Sequence, residues 1–278
     1  MAHIHTQAAE ELLDKPIPVL DKGFVRLVDY MGSDSRIVQS ARVSYGAGTR
    51  TVREDKGLID YLLRHRHTSP FEQVIITVHA KMPVFVARQW VRHRTARLNE
   101  ISGRYSEMKD EFYVPDPERV LPQDTANKQG SLEGGELPPE VRRAAVESIL
   151  REQEEVYAGY RRMLDDGVSR ELARINLPLS LYTEWYWQID LNNLFHFLEL
   201  RLESHAQWEI RQYAEALAAI TRAVVPLAWE SFEEHVLHGA HLSRSEVNAV
   251  REMLSGRECP LSGRRLDEFN AKMGLGKE

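Results

Sequence analysis

Chemistry is concentrated in the segment Arg92-His93-Arg94-Thr95-Ala96-Arg97-Leu98-Asn99-Glu100-Ile101-Ser102-Gly103-Arg104-Tyr105, where four arginines fall within thirteen residues among Asn, Glu, Ser and Gly. Guanidinium groups are permanently charged, planar forks of donors, suited to phosphate oxygens and to the polar edges of a base. On charge pattern alone two readings stand: a site for an anionic ligand, and a solvated basic face paired with nearby acids. A second cluster, His65-Arg66-His67-Thr68-Ser69-Pro70-Phe71-Glu72, sets two histidines near a carboxylate. It has neither His-x-x-x-His spacing nor a cysteine partner, so no metal is expected, and Thr68 or Ser69 is free to bond a ligand or the local backbone. The third cluster runs from Asp190 to His205. On a helix Asn192 and His196 are neighbours, as are Phe197, Arg201 and His205, whereas His196 and Arg201 diverge by about 140°. That spacing predicts one helix presenting two polar stations to two ligands or subunits. The plainer alternative is a polar face in solvent, with His196 at the edge of the core.

Composition narrows what these clusters serve. The 278 residues carry 36 Lys+Arg against 42 Asp+Glu, a net charge of −6. A nucleic-acid partner is not expected, because binding a polyanion usually needs a basic surplus. A local positive site for a small anion remains open. Hydrophobic residues make up 42% and charged residues 28%, as in an ordinary globular chain. The single cysteine, Cys259, allows no internal disulfide, and its polar, Gly/Pro-punctuated surroundings do not suit a nucleophile that needs a sheltered electropositive pocket. No run reaches the roughly 20 apolar residues that cross a bilayer, and residues 1–11 lack a secretion pattern. A cytoplasmic protein with no membrane partner is expected, with His3 and His5 in a solvated leader.

The elements that must position the clusters are legible in part. Residues 23–30 and 73–81 have strand character, the second with Val74, Ile76, Val78 and Ala80 alternating with more polar neighbours. Residues 55–66 and 83–91 read as short helices. Five prolines and a Gly-rich stretch predict a long mobile loop over 114–140. Helical spacing follows over 141–164 and 169–175. Residues 181–188, rich in aromatics, suit a strand or a buried helix. A long helix is expected from Asp190 to about Ala218, and another to about His238. Strands early and helices late predict an α+β fold, an antiparallel or mixed sheet with flanking helices and a long helical C-terminal half. The expected organisation is a leader at 1–22, one domain at 23–240 and a helical tail at 241–278.

Arg92-His93-Arg94 followed after seven residues by Ser102 resembles the signature of the flavin-dependent thymidylate synthases. The resemblance extends to Ala87-Arg88-Gln89-Trp90, Asn99-Glu100 and Gly103-Arg104-Tyr105. His67-Thr68-Ser69-Pro70-Phe71-Glu72 is similar to that family's His-x-x-Pro-Phe-Glu segment, Ala173-Arg174 with Leu177-Pro178 to its middle block, and Leu200-Arg201 with Ser204 to Ile210 to its C-terminal block. These blocks cover about 23–236. The tail beyond Ser243 finds no counterpart. Asp190-Leu191-Asn192 stands where the family often has Asn-x-Arg, and His196 where it has Asn.

The resemblance implies the family's fold and the conversion of dUMP to dTMP, with methylenetetrahydrofolate as one-carbon donor and NADPH as reductant through FAD. It implies no metal, and a homotetramer whose active sites lie at subunit interfaces. Arg201 is the implied catalytic residue, stabilising charge on the pyrimidine where the other thymidylate synthase class uses a cysteine. The implied dUMP set is Gln89, Trp90, Val91, Arg92, Glu100, Ile101, Ser102, Gly103, Arg104, Arg174 and Arg201. For FAD it is Ser44, Ser69, Arg92, His93, Arg94 and Glu100, with Asp190, Leu191, Asn192 and His196 by position. No GxGxxG fingerprint is present, so this is not a Rossmann flavin site. The competing readings are a nucleotide-binding module without turnover, using the same arginines, and a metal-dependent hydrolase built on His65, His67 and Glu72.

Overall fold

The alternation at 73–81 becomes strand β3, Ile75–Pro83, in the computed structural model, which describes residues 4–43, 52–125 and 128–275. Val74, Ile76, Val78 and Ala80 are buried while Thr77 and His79 are partly exposed, so one face of the sheet is core. Joining it are β1 (Pro16–Val19), β2 (Gly23–Met31), β4 (Ala96–Glu100) and β5 (Tyr182–Asp190). All pairs are antiparallel, in the order β1-β2-β3-β5-β4. The aromatic stretch at 181–188 is therefore a strand, with Trp185 and Trp187 turned into the core and Tyr186 outward. Strand β4 was not foreseen because its residues are largely exposed, leaving no apolar alternation to read.

The helices are α1 (Gln7–Glu10), α2 (Asp34–Arg42), α3 (Val52–Arg64), α4 (Val84–Trp90), α5 (Pro139–Asp165), α6 (Arg170–Ala173), α7 (Leu191–Leu202), α8 (Trp208–Val224), α9 (Pro226–Phe232), α10 (Arg244–Leu254) and α11 (Arg264–Lys272). The fold is the expected α+β, with three differences from the sequence reading. The long helix from Asp190 is two, because the Glu203 carboxylate accepts the backbone N–H of His205 at 2.9 Å and turns the chain between α7 and α8. Residues 4–22 are not a free leader: Ala9 and Val19 are core, β1 pairs with β2, and the Thr6 hydroxyl donates to Ala223 O at 3.0 Å. Within 114–140 the described residues form little regular structure beyond the 3-10 turn Pro117–Arg119 and the start of α5 at Pro139, and the segment packs on α8. There Arg119 pairs with Glu209 at 3.2 Å and lies 5.4 Å over the Trp208 ring. In the tail, α10 carries a capping box of Ser243 and Glu246, and Lys272 of α11 reaches Glu246 at 2.7 Å.

Trp90 is the hub of the core. Its ring meets Trp185 at 5.5 Å, Trp187 at 5.3 Å and Phe197 of α7 at 5.2 Å. Truncating a buried aromatic of this kind costs about 3–5 kcal/mol, so the end of α4 is held firmly against α7. A smaller cluster of Met108, Phe112, Tyr160, Ala173 and Leu181 fixes the chain beyond β4 to α5 and α6. The Tyr160 hydroxyl accepts Met108 N–H at 2.9 Å there.

Candidate active site

Just past α4, His93 N–H donates to Trp90 O at 3.0 Å, closing a turn that lays the imidazole edge-on against Phe197 at 4.7 Å. Arg201, in the last turn of α7, donates Nε–H to His93 Nε2 at 3.2 Å and Nη2–H to Gln89 O at 3.4 Å. Accepting at Nε2 places the neutral ring's proton on Nδ1. Burial first, then the Arg201 and His196 charges, lower the His93 pKa to about 4, so the ring is uncharged at neutral pH. Burial also lowers Arg201, which stays a cation and pairs with no carboxylate among the described residues. Two of its five N–H groups are engaged in these bonds, leaving three for a ligand. The two polar stations predicted on α7 flank one ring: His196 lies 5.9 Å from the same His93 that Arg201 bonds.

The His93 environment sets a pH dependence. The unfolded chain's histidine binds a proton near 6.5 and the folded one only near 4, so between those values the unfolded state holds more protons. The stability from neutral His93 is complete above pH 6.5 and is lost as pH falls toward 4. His93→Gln is expected to flatten the thermal-midpoint profile over that window; parallel profiles for parent and variant would contradict the assignment.

Beyond β4 the chain turns at Ser102, whose carbonyl accepts Tyr105 N–H at 3.1 Å. Gly103 is buried beneath Arg174: a Cβ there would stand 2.8 Å from Met108 Sδ and 3.1 Å from Arg174 Cδ. A larger residue there would push Met108 or Arg174, from the 3-10 turn Arg174–Asn176, off its place against the signature. The Ser102 hydroxyl accepts Arg104 N–H at 3.3 Å, and Glu100 accepts the Thr183 hydroxyl at 2.5 Å. Arg104 pairs with Glu171 at 3.3 Å, both exposed, a contact worth less than about 1 kcal/mol. Among the described residues Arg92, Arg94, Arg97 and Arg174 have no carboxylate partner, and Arg92, Arg94 and Arg97 are exposed. A solvated face paired with acids demands such partners, so the geometry favours the anion site.

A cavity of about 940 Å³ opens on the other side of His196. Its apolar floor includes Phe195, stacked on Phe232 at 4.3 Å, and Phe71; its polar wall includes His67, Thr68, Asn192 and His196. Asp190 starts this wall: its carboxylate caps α7, Oδ1 accepting Asn193 N–H at 3.0 Å and Oδ2 the Asn193 amide at 2.7 Å.

The sequence-derived residues thus fall into two groups. Gln89, His93, His196 and Arg201 meet at one node that adjoins the cavity through His196 and Asn192. Ser102, Gly103, Arg104 and Arg174 meet at the other, and no hydrogen bond or ion pair among the described residues joins the two. Val91 and Ile101 flank the signature, half-buried and exposed. Trp90 and Leu191 are core residues with buried side chains, and Asp190 is occupied as a cap. Thr68 rather than the exposed Ser69 lines the cavity. Ser44 lies outside the described residues. Residues not singled out from sequence also contribute: Gln207 holds the Gln89 side chain, and Arg64, Arg66, His235 and His241 line the cavity. The arginines alternating with His65 and His67 were a readable sign. No group of three or more metal-ligating side chains occurs among the described residues.

Fold and arginine constellation together define a thymidylate-synthase-complementing protein, and the sequence model described as "Thymidylate synthase complementing protein" matches residues 26–227. A second, "Thymidylate synthase ThyX C-terminal domain", matches residues 240–278, giving the tail the counterpart that the resemblance lacked. The flavin-dependent thymidylate synthase of Treponema denticola is 59% identical over 266 residues, covering 96% of this chain and 100% of that protein. That of Thermus thermophilus is 62% identical over 239 residues, 86% of each chain. A solved UMP/dUMP methylase, PolB from Streptomyces cacaoi bound with 5-Br dUMP, superimposes with a TM-score of 0.72 at 35% identity, covering 79% of this chain and 98% of that one. The chain belongs to the flavin-dependent thymidylate synthase family.

Proposed function

We propose that the chain converts dUMP to dTMP, with methylenetetrahydrofolate as one-carbon donor and NADPH as reductant through FAD. The observation that carries the reading at the level of residues is the Arg201–His93 pair. A permanent cation is oriented by a neutral acceptor, with further N–H groups free, in a chain whose one thiol is elsewhere. Arg201 stabilises negative charge developing on N3 and O4 of the uracil ring, a task for fixed donors in a partly water-excluded site. It does so as an electrostatic stabiliser, since a guanidinium does not act as a base at neutral pH. Neutral His93 keeps Arg201 in place without competing for the negative charge it serves.

Arg174, Arg104 and the backbone around Ser102 and Gly103 hold the 5′-phosphate, with Arg92, Glu100 and Gln89 completing the nucleotide site. The proposed FAD site is the cavity beside α7, and its size and mixed aromatic and polar walls support that reading. Asn192 and His196, the His67–Ser69 segment, and Arg92, His93 and Arg94 are its proposed contacts. When bound, FAD supplies the redox chemistry, carrying reducing equivalents from NADPH to the one-carbon unit. The split of the site supports assembly into a homotetramer in which the nucleotide group of one copy and the Arg201 node of another complete one active site. Tyr105 and Ile175, 80% and 71% exposed beside the signature, are apolar surface for such an interface. The proposed compartment is the cytoplasm; no described helix is long and apolar enough to cross a membrane.

The direct test is tritium release from C5-labelled dUMP with methylenetetrahydrofolate and NADPH, alongside the visible spectrum. A yellow protein that bleaches with NADPH and releases tritium is expected. A colourless protein that binds dUMP without release would instead be a binding module. Cys259→Ala is expected to leave turnover unchanged, since Cys259 lies between α10 and α11, distant in sequence from both groups. An inactive variant would reopen thiolate catalysis.

A further inference from the structure

Helix α3 ends in a turn whose geometry does not suit the residue it carries. Arg66 N–H donates to Leu63 O at 3.0 Å and His67 N–H to Leu62 O at 2.9 Å, the paired closing bonds of a Schellman turn. Such a turn puts its central residue in the left-handed region, and Arg66 has φ +57°. Glycine adopts this backbone freely, whereas a side chain adds strain, so the arginine stands here at a local cost. The helix dipole favours a cation at this end, but Arg64 already stands in the last turn and sits 4.0 Å from Asp60. Arg66 pairs with no carboxylate among the described residues, and it lines the cavity that also holds His67, Thr68, Asn192 and His196. The nearby acids are engaged: Glu199 lies 3.6 Å from His196, and Asp60 accepts from or pairs with His235 at 2.6 Å.

We propose that Arg66 is a cofactor-binding residue whose guanidinium takes a phosphate of the FAD diphosphate. The assignment rests on the reading of this cavity as the FAD site and names the part of the cofactor that the α3 terminus meets. Anion recognition at this spot could equally serve the glutamate carboxylates of the folate, so the experiment separates the two.

The test follows FAD release from the diluted full-length holoprotein by flavin fluorescence, at several salt concentrations, for the parent, Arg66→Gly and Arg66→Lys. Glycine fits the turn, so Arg66→Gly is expected to fold with a thermal midpoint equal to or above the parent's. Its FAD dissociation constant is expected to rise at least ten-fold with a shallower salt dependence. Arg66→Lys restores the salt dependence and part of the affinity. FAD affinity within two-fold of the parent in Arg66→Gly, or a weaker affinity with unchanged salt dependence, overturns the proposal. So does unchanged FAD binding with a raised KM for methylenetetrahydrofolate, which assigns the anion to the folate. A parent protein that binds no FAD refutes the cavity reading itself, before any variant is made, and removes this assignment with it.

Discussion

Arg201→Ala is expected to lower turnover by at least 10²–10³-fold, about 3–4 kcal/mol of lost charge stabilisation, while the purified protein stays yellow. The expectation comes from how the guanidinium is held. Nε–H is given to His93 and one Nη–H to the Gln89 carbonyl, so the remaining donors are aimed rather than free to wander. Alanine removes donors and charge together and leaves His93 Nε2 without its partner. Arg201→Lys keeps the charge but cannot span His93 and a substrate edge at once, so it is expected to recover only part of the loss. Single-turnover dTMP formation, with bound flavin measured in the same sample, separates lost chemistry from a lost cofactor. Unimpaired turnover in Arg201→Ala would remove this residue from the mechanism.

Gly23→Ala carries the largest expected effect on stability. A Cβ at Gly23 would stand 2.0 Å from the Tyr213 hydroxyl, 2.7 Å from Val19 O and 2.8 Å from Lys81 O. None of these can move cheaply. Two are backbone atoms of β1 and β3, and the buried Tyr213 is held by donating to Lys81 O at 2.9 Å. Burial keeps the Tyr213 phenol protonated, so that bond is permanent at physiological pH. Overpacking at such a position costs about 3 kcal/mol or more, or roughly 6–12 °C of thermal midpoint for a chain of this size. Gly57→Ala is the control. Gly57 lies within α3 with nothing near its missing Cβ, and the same substitution there is expected to stabilise by about 0.5–1 kcal/mol. Calorimetry that ranked the two variants in the opposite order would refute both packing arguments.

These comparisons also show what the sequence could reveal. Strand β3 was readable because one of its faces is core, so burial and period coincide. Strand β4 forms the middle of the signature but buries none of its residues fully, and an exposed edge strand leaves no periodic trace. The break between α7 and α8 was hidden because Glu203 is an ordinary helix residue until its carboxylate captures the next backbone N–H. The arginines of the site were legible as types, and their lack of acidic partners was not, since pairing depends on distant segments such as Glu171 opposite Arg104. Position within a motif also misplaced side chains: Trp90 and Leu191 sit in the motif blocks yet point into the core, where they fix geometry that other residues use.

Helix α7 has a further consequence for how this protein can change. Asn192 faces the cavity and Arg201 faces His93, and nine residues of helix separate them by about 13.5 Å. The helix is locked in between by Leu194, Phe195, Phe197 and Leu198, all buried. It therefore works as a ruler graduated in residues. One inserted residue would rotate Arg201 by about 100° and carry it off His93, while Asn192 stayed where it was. An exposed position such as Leu200 is open to exchange, but the length of α7 between those two marks is not.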